Sequence, residues 1–326
     1  MSTPTAPSTP SPAASRPVRT IALLNQKGGV GKTTTTVNLA AALALSGRPT
    51  LLIDMDPQAH ATLHLGVDAA SPLGPGSDKT ATVYDVLLDP ASVAPTALRE
   101  ARPNLWLLPA ETDLAAVESE LAQAPDRNTR LRRFLESLGN RFEFVLMDCP
   151  PSLGILTLNA LSAAREVFIP MQAHFLALQG VGKLLETVSL VSKSFNSRLH
   201  VTGVILCMHE TSTTHSREVV ADLAEFFEQA RKSGQDVPYR TARILQPPIR
   251  RNIKLAECPS FGQTIFDYAP TCPGAADYKA LADRVIADWD TMLQRRADGG
   301  ISAATPPLPQ IVVREATPGA TAGAVA

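Results

Sequence analysis

The sequence is poor in features that mark secreted, redox or membrane proteins. It has only four cysteines in 326 residues, widely separated and without a C-x-x-C pair, which argues against a zinc site or a redox dithiol. No apolar run approaches the roughly 18–20 residues of a membrane span. The first apolar stretch, Ile21 to Leu24, is too short for the core of a signal peptide. The lack of these features predicts a soluble cytoplasmic protein with reduced thiols.

An excess of charge of either sign is also missing. The 30 Lys and Arg residues against 31 Asp and Glu residues give a net charge of −1. This balance argues against a protein that binds polyanions over its whole surface, although it permits a local basic patch. The hydrophobic fraction of 44% is enough to bury a large core.

Both ends of the chain have low complexity. Residues 1–17 are almost entirely Ser, Thr, Pro and Ala, and residues 297–326 are rich in Ala, Gly, Pro and Thr. Neither segment can bury enough apolar area to offset the entropy of ordering, so we expect two disordered tails. Residues 18–296 are predicted to form a single domain. The Gly/Pro/Ser-rich stretch from Ser71 to Thr82 is predicted to be a surface loop.

Between the tails, short apolar runs alternate with longer helical patterns. The apolar runs are continuous, as in strands that are buried on both faces. Strands that alternate with helices imply right-handed βαβ units, and hence an α/β fold with a mostly parallel twisted sheet and helices on both faces. The predicted strands are Thr20–Asn25, Thr50–Asp54, Leu105–Leu108, Phe144–Asp148, Glu166–Pro170, Val201–Cys207 and Ala242–Leu245. The predicted helices are 32–46, 111–121, 128–138, 153–164, 177–194, 216–232 and 275–295.

A glycine-rich loop over residues 25–34, with the sequence N-Q-K-G-G-V-G-K-T-T, follows the first predicted strand and opens a helix. This is the context of a phosphate-binding P-loop, in which glycines let the backbone N–H groups point at phosphates and the helix N-terminus adds positive potential. Lys32 is expected to reach the β- and γ-phosphates, and the Thr33 hydroxyl to bind Mg²⁺. The predicted nucleotide-binding residues here are Gly28, Gly29, Val30, Gly31, Lys32, Thr33 and Thr34.

Two further predicted strands end in acids. One leads into Asp54 and Asp56, and the other ends at Asp148. Ligands of open parallel sheets bind beyond the carboxyl ends of the strands, so these carboxylates should lie beside the glycine-rich loop. Asp148 is interpreted as the acid next to Mg²⁺. Asp54 and Asp56 alternate along an extended backbone, so one can face the metal and the other the attacking water.

The loop departs from the generic pattern G-x-x-x-x-G-K-[ST], because Gln26 stands at the first glycine position and an extra lysine, Lys27, follows it. This variant resembles the deviant Walker A motif of the ParA/Soj/MinD ATPases. The resemblance implies an ATP- and Mg²⁺-dependent ATPase of the P-loop type. It assigns Lys27 to the partner subunit's nucleotide across a dimer interface, Asp56 to positioning of water, and Asp54 to the metal side. Lys27, Lys32 and Asp56 are therefore the predicted catalytic residues, and Thr33, Asp54 and Asp148 the predicted metal site.

The resemblance extends into the C-terminal half. The segment D-C-P-P-S-L-G over 148–154 resembles the family's γ-phosphate switch, and Gln172 is expected near the nucleotide. The segment R-N-I-K-L-A-E-C-P-S-F-G over 251–262 resembles the family segment that lies against the adenine. That likeness assigns Asn252 and Pro259 to the base pocket.

Residues 240–254 contain five basic side chains and no acid, which predicts a local basic patch. Contact with phosphates by such a patch would be independent of sequence and sensitive to salt. On charge alone this patch could also be a solvated surface or a nucleotide-facing loop. The resemblance, in which basic residues next to the base-binding segment touch DNA, makes Arg217, Arg250, Arg251 and Lys254 the predicted DNA-binding residues. Ser212 stands where the family usually has an arginine that contacts DNA, which implies either weaker DNA binding or compensation by these arginines. The insertion-like stretch from Gln229 to Tyr239 is given no role.

The leading hypothesis is a partition ATPase of the ParA/Soj type for a chromosome or plasmid. ATP would close a sandwich homodimer that binds DNA nonspecifically, and weak hydrolysis, stimulated by a ParB-like partner, would release it. The predicted location is the nucleoid in the cytoplasm, without membrane attachment, because the C-terminal tail lacks a basic amphipathic pattern. The alternative is an ATP-gated positioning protein for a cargo other than DNA.

Overall fold

The computed structural model describes residues 17–71, 80–210 and 214–298. Its central element is an eight-stranded sheet with the order β3-β4-β2-β5-β1-β6-β7-β8. The strands are β1 (Arg19–Leu23), β2 (Thr50–Asp54), β3 (Arg99–Arg102), β4 (Leu105–Leu108), β5 (Phe144–Asp148), β6 (Glu166–Met171), β7 (His200–Leu206) and β8 (Arg243–Ile244). All neighbouring pairs are parallel except β3 and β4. The predicted fold class is confirmed.

The central strands are covered on both faces. Every residue of β1, β2 and β5 is buried, so both alternating sets of side chains are removed from water. In the β2–β5 pair, Asp54 lies directly opposite Asp148 in the register. In the β1–β5 pair, Leu23 lies opposite the same Asp148. The ends of these three strands therefore meet at one edge of the sheet, next to the segment that connects β1 to the first helix.

Helices connect the strands and cover the faces of the sheet. They are α1 (Lys32–Leu45), α2 (His60–His64), α3 (Val83–Leu88), α4 (Val117–Glu120), α5 (Arg130–Ser137), α6 (Ile155–Ala163), α7 (Phe175–Ser194), α8 (Thr214–Lys232), α9 (Lys254–Glu257), α10 (Ile265–Tyr268) and α11 (Pro273–Ala297). Short 3₁₀ turns occur at Pro95–Ala97, Thr112–Ala116 and Cys258–Phe261.

Most predicted elements agree with these bounds to within about two residues, and the exceptions are short. The helix predicted at 111–121 is a 3₁₀ turn followed by the single turn of α4. The sequence patterns do not predict five short elements of six residues or fewer, namely β3, α2, α3, α9 and α10. Of the loop predicted from Ser71 to Thr82, residues 72–79 lie outside the described residues, and Thr82 forms a capping box that starts α3.

The chain divides into two compact units, residues 1–287 and 288–326, with the boundary inside α11. The described part of the second unit is the end of that helix. The prediction of one domain over 18–296 stays a prediction. The predicted tails, 1–17 and 297–326, lie outside the described residues except for Pro17, Ala297 and Asp298. In the described parts of the chain, no helix has the length and apolarity that a membrane span requires.

Candidate nucleotide site

The glycine-rich loop runs from the end of β1 to the start of α1, as the sequence predicts. Gly29 and Gly31 have φ values of 72° and 90°, a region that side chains with a Cβ rarely adopt. A Cβ on Gly31 would also lie 3.3 Å from the Cβ of Cys207. The loop is held at its base by Asn25, whose Oδ1 accepts a hydrogen bond from the Lys27 N–H at 2.9 Å. This backbone leaves the N–H groups at the start of α1 available for an anion.

Asp148, at the end of β5, connects the loop to the sheet. Its carboxylate is fully buried and accepts hydrogen bonds from the hydroxyls of Thr33 at 2.7 Å and Thr36 at 2.9 Å. The Lys32 ammonium lies 3.6 Å from Asp148 Oδ1, and Lys32 is only 9% exposed. A lysine, a hydroxyl and a carboxylate that were separated in the sequence thus converge on one point beside the loop.

The donor set at this point suits Mg²⁺. Mg²⁺ prefers hard oxygen ligands and commonly takes only one or two carboxylates from the protein, with waters and substrate phosphates completing the shell. The Thr33 hydroxyl and the Asp148 carboxylate supply such oxygens. Among the described residues no group of three or more His, Cys, Asp or Glu side chains could hold a metal by itself, so phosphate oxygens would have to contribute.

Asp54 is held by its own chain. It is 0% exposed, and its Oδ2 accepts hydrogen bonds from both the N–H and the hydroxyl of Thr62, each at 2.8 Å. Its Oδ1 accepts a third hydrogen bond, from the Asp56 N–H at 3.3 Å. Burial, and then the nearby Asp148, raise the pKa of Asp54 to about 7. Asp54 therefore anchors the turn between β2 and α2, and its predicted contact with the metal stays a prediction.

Asp56 lies in that same turn and is less constrained. It is 8% exposed, and its Oδ1 accepts a hydrogen bond from the Gln58 N–H at 3.0 Å. The residue that leads into α2, Ala59, has a φ of 52°, and its N–H bonds to the Asp56 carbonyl at 2.8 Å. Among the described residues, Asp56 has no ion pair with a side-chain cation, which suits an acid that orients water.

The exposed side of the loop is bordered by the segment after β6. Gln172 Nε2 donates to the Gly29 carbonyl at 3.2 Å, so Gln172 contacts the glycine-rich loop, and its proximity to the nucleotide stays a prediction. The exposed His174 bonds through Nε2 to Gln172 Oε1 at 2.7 Å. Lys27, at the tip of the loop, is exposed to solvent, whereas Lys32, the other lysine of the motif, is buried against Asp148.

The segment that resembles the switch runs from Asp148 to the start of α6. Burial raises the pKa of the Cys149 thiol to about 12, so this cysteine stays protonated and unreactive at neutral pH. Glu118 of α4 accepts a hydrogen bond from the Ile155 N–H at 3.3 Å and so caps the N-terminus of α6. A Cβ on Gly154 would meet that same carboxylate.

The start of α10, just after the segment predicted to bind the base, is hydrogen-bonded to α1. Asn38 of α1 accepts a hydrogen bond from the Ile265 N–H at 2.7 Å and donates to the Thr34 carbonyl at 2.8 Å. Asn252 Oδ1 accepts the Lys254 N–H at 2.9 Å, and Pro259 lies in the 3₁₀ turn that follows α9. Both predicted base contacts therefore lie in the stretch that precedes this hydrogen bond to α1, and their role stays a prediction.

The basic residues predicted to bind DNA lie on the surface, but three of them are paired with acids, two from other segments and one from the same helix. Arg250 makes a double hydrogen bond to Asp277 of α11, with the shortest distance 2.7 Å. Arg251 lies 3.2 Å from Glu210, and Lys254 lies 2.9 Å from Glu257. The patch has fewer unpaired charges than the sequence of 240–254 suggests. Arg217 is exposed on α8, and Ser212 is outside the described residues.

Two site residues were missed by the sequence analysis. Thr36 is three positions after Thr33, on the same helix face, so its spacing was a usable signal. Thr62 could not have been identified from the sequence, because its contact with Asp54 depends on α2, which was not predicted.

Known proteins are similar to this chain over most of its length. Residues 18–201 match the family model described as an AAA domain. The chromosome-partitioning protein ParA of Caulobacter vibrioides is 39% identical over 272 residues, which cover 83% of this chain and 94% of that protein. The sporulation initiation inhibitor protein Soj of Bacillus subtilis is 41% identical over 268 residues, which cover 82% and 98%.

Solved structures give the same result. A Mycobacterium smegmatis protein described as cobyrinic acid a,c-diamide synthase, with bound ADP and magnesium, is 36% identical, with a TM-score of 0.67 and coverage of 84% of this chain and 96% of that one. MinD of Pyrococcus horikoshii, complexed with Mg-ADP, is 25% identical, with a TM-score of 0.58 and coverage of 82% and 96%. From its sequence, its loop and its sheet, the chain belongs to the ParA/Soj family of partition ATPases, within the ParA/MinD group of P-loop proteins.

Proposed function

We propose that this protein is an ATPase for chromosome or plasmid partition. It binds ATP with Mg²⁺ and hydrolyses it to ADP and phosphate. The observation that carries the proposal is the convergence on Asp148 of Lys32 and the Thr33 hydroxyl, at the mouth of the glycine-rich loop. Support comes from ADP and an ATP analogue, each with magnesium, in the M. smegmatis relative. Asn252 and Pro259 would hold the base.

Each residue of the site has a separate task in this proposal. Bound Mg²⁺ would neutralise charge on the phosphate oxygens. Lys32 binds the β- and γ-phosphates, and the backbone N–H groups from Gly28 to Thr34 surround them. Asp148 and Thr33 hold the metal's shell, with Asp54 behind them. Asp56 orients the attacking water, and we expect hydrolysis to be slow until a partner acts.

Dimerisation would couple this chemistry to a change of state. Lys27 is exposed at the tip of the loop and has no ion-pair partner among the described residues. A cation in that position can reach the nucleotide of a second subunit, where it would stabilise charge on the phosphates. The homodimer would then form with ATP and separate after hydrolysis.

The ATP-bound dimer would bind nonspecific DNA through Arg217, Arg250, Arg251 and Lys254, and a ParB-like partner would stimulate hydrolysis and release. In this proposal the ATP-bound dimer would associate with the nucleoid, in the cytoplasm. Binding through phosphates predicts a steep loss of affinity with salt.

A specific observation keeps a second function open, namely an ATP-gated positioning protein for a cargo other than DNA. Arg250, Arg251 and Lys254 each lie against an acid, which lowers the net positive potential of the patch. The sequence also has Ser212 where the family has an arginine. Both features weaken the case for DNA as the surface that the dimer binds.

Binding to a nonspecific DNA duplex separates the two functions. It is measured with ADP, with ATP, and with ATP on the Asp56→Ala variant, across a salt series. Binding that requires ATP, persists in the variant and weakens steeply with salt supports the partition function. ATP-dependent dimerisation without DNA binding at low salt supports the other cargo, and failure to bind ATP at all contradicts both.

A further inference from the structure

A groove between α7 and α8 is separate from the candidate nucleotide site. It encloses about 520 Å³, and no residue of the glycine-rich loop or of its acids lines it. Its apolar wall contains Leu190 and Phe226, which are 66% and 42% exposed. Tyr239 stacks on Phe226, with ring centroids 5.8 Å apart and an angle of 22°. Tyr239 ends the insertion-like stretch 229–239, so that stretch supplies one side of the groove.

Two charges of opposite sign stand on the α7 side of this groove. Glu186 and Lys193 both line it, both are exposed, and neither has an ion-pair partner among the described residues. They are seven residues apart, so they lie on the same helix face, separated by about 10.5 Å along the axis. Leu190 and Ser189 lie between them and also line the groove.

This arrangement is complementary to itself. If a second α7 lies antiparallel to the first, with a twofold axis between Ser189 and Leu190, Glu186 of each copy faces Lys193 of the other. A twofold contact uses the same patch on both subunits, so each pairing occurs twice. The exposed Leu190 of each copy then enters the apolar wall of the other, against Phe226 and Tyr239.

The geometry points to the α7–α8 groove as a docking surface for a second copy of this chain, through an antiparallel α7–α7 contact. This contact is distinct from the ATP-dependent dimer proposed above, because the glycine-rich loop and Lys27 take no part in it. A chain with both contacts can join ATP-dependent dimers to one another. The proposal does not require nucleotide, so it can be tested without it.

Charge reversal tests the pairing by sedimentation of the nucleotide-free protein over a series of concentrations. The wild type is expected to self-associate. Glu186→Lys and Lys193→Glu each place like charges together twice in the twofold contact, which should weaken association roughly ten-fold. The double variant restores both pairs with their signs exchanged and should recover the wild-type association.

Matched controls carry the same charge changes elsewhere. Glu136→Lys on α5 and Lys279→Glu on α11 alter exposed charges away from the groove and should leave association unchanged. Circular dichroism spectra check that each variant is folded. A wild type that stays monomeric at every concentration overturns the proposal and leaves the groove to a different protein. A double variant that associates as weakly as the single ones overturns it as well.

Crosslinking tests the position of the axis. A Leu190→Cys variant treated with a short bismaleimide should form covalent dimers well above the wild-type background, because Leu190 lies beside the proposed axis. The background matters because Cys272 is partly exposed, whereas the other three cysteines are buried. A yield no higher than that of wild type overturns the antiparallel contact, even if the protein self-associates by another route.

Discussion

The backbones of Gly66 and Gly262 touch each other. A Cβ on Gly66 would lie 2.9 Å from the Gly262 carbonyl oxygen, and a Cβ on Gly262 would lie 2.8 Å from the Gly66 Cα. Their φ values are 67° and 62°. Gly66 follows α2, which begins just after Asp56, and Gly262 ends the 3₁₀ turn that contains Pro259. Arg102 reinforces the contact by donating to the Gly262 carbonyl at 3.0 Å. The turn that contains Asp56 is therefore joined, through α2, to the segment 251–262 that is predicted to bind the base.

Gly66→Ala should be strongly destabilising. A positive φ costs an L-residue about 1–2 kcal/mol, and the collision with backbone atoms adds about 1–3 kcal/mol of overpacking strain. Gly47→Ala is the matched control, because its φ is 74° but its Cβ would meet nothing within 4 Å. Urea unfolding should give a loss of about 3 kcal/mol at Gly66 against about 1 kcal/mol at Gly47. Equal losses would show that the contact relaxes without cost.

Replacing the two lysines of the loop should affect two different properties, ATP affinity and dimerisation. Lys32→Ala removes the ammonium beside Asp148 and should lower the affinity of the monomer for ATP roughly ten-fold or more, since bonds to charged groups are worth about 1.5–3 kcal/mol. Lys27→Ala should keep that affinity and lose ATP-dependent dimerisation. Titration with a fluorescent ATP analogue and sedimentation measure the two effects. Equal loss of ATP affinity in both variants would contradict the division of roles.

Arg250 should contribute more to stability than its neighbour Arg251. Its guanidinium and its N–H both bond to Asp277, which is 5% exposed, so Arg250→Ala leaves a buried carboxylate with fewer donors. The free energy of unfolding should fall by about 1–3 kcal/mol. Arg251→Ala breaks only an exposed pair and should cost less than about 0.5 kcal/mol. Chemical denaturation of the two variants decides this.

The same pairings set the expected effects on DNA. If the protein binds DNA, Arg251→Ala and Lys254→Ala should each reduce the slope of log affinity against log salt by about 1, as expected for a lost phosphate contact. Arg250→Ala should change the slope less, because Asp277 already holds its guanidinium. The measurement is fluorescence anisotropy on a duplex at several salt concentrations. Unchanged slopes in all three variants would remove the patch from the DNA interface.

The sequence was sufficient to predict those parts of the fold and of the candidate site that depend on short local patterns. An apolar run that ends in a glycine-rich loop, and two apolar runs that end in aspartates, predicted both the parallel sheet and the cluster at its edge. The strand β3 was not predictable in this way. Its sequence R-E-A-R is polar and it pairs antiparallel at the edge of the sheet, where only one neighbour is needed.

Contacts between residues that are far apart in the chain could not be predicted from the sequence. The segment 240–254 contains no acid, yet the fold brings Asp277 to Arg250 and Glu210 to Arg251. Asp54 was expected to lie on the metal side, but its oxygens also serve as acceptors for Thr62, eight residues on. Local patterns locate a charge along the chain, whereas its partner depends on how separate elements pack.

A buried histidine should make stability depend on pH in the acid range. His64 is 1% exposed, and its Nε2 lies 3.5 Å from the Cys258 sulfur. This contact joins α2 to the segment 251–262. Burial lowers the pKa of His64 from 6.5 to about 4. The unfolded chain therefore binds a proton at a higher pH than the folded protein. This stabilisation is present above pH 6.5 and is lost as the pH falls towards 4.

The loss can be measured against His64→Gln, which lacks the titrating ring. A shift of this size corresponds to about 3 kcal/mol, so the wild type should lose about that much more stability than the variant between pH 6.5 and pH 4. Urea unfolding at several pH values gives both curves. If the two curves of stability against pH are parallel, His64 takes up its proton in the folded protein at an ordinary pKa. Water would then reach His64 between α2 and the segment 251–262.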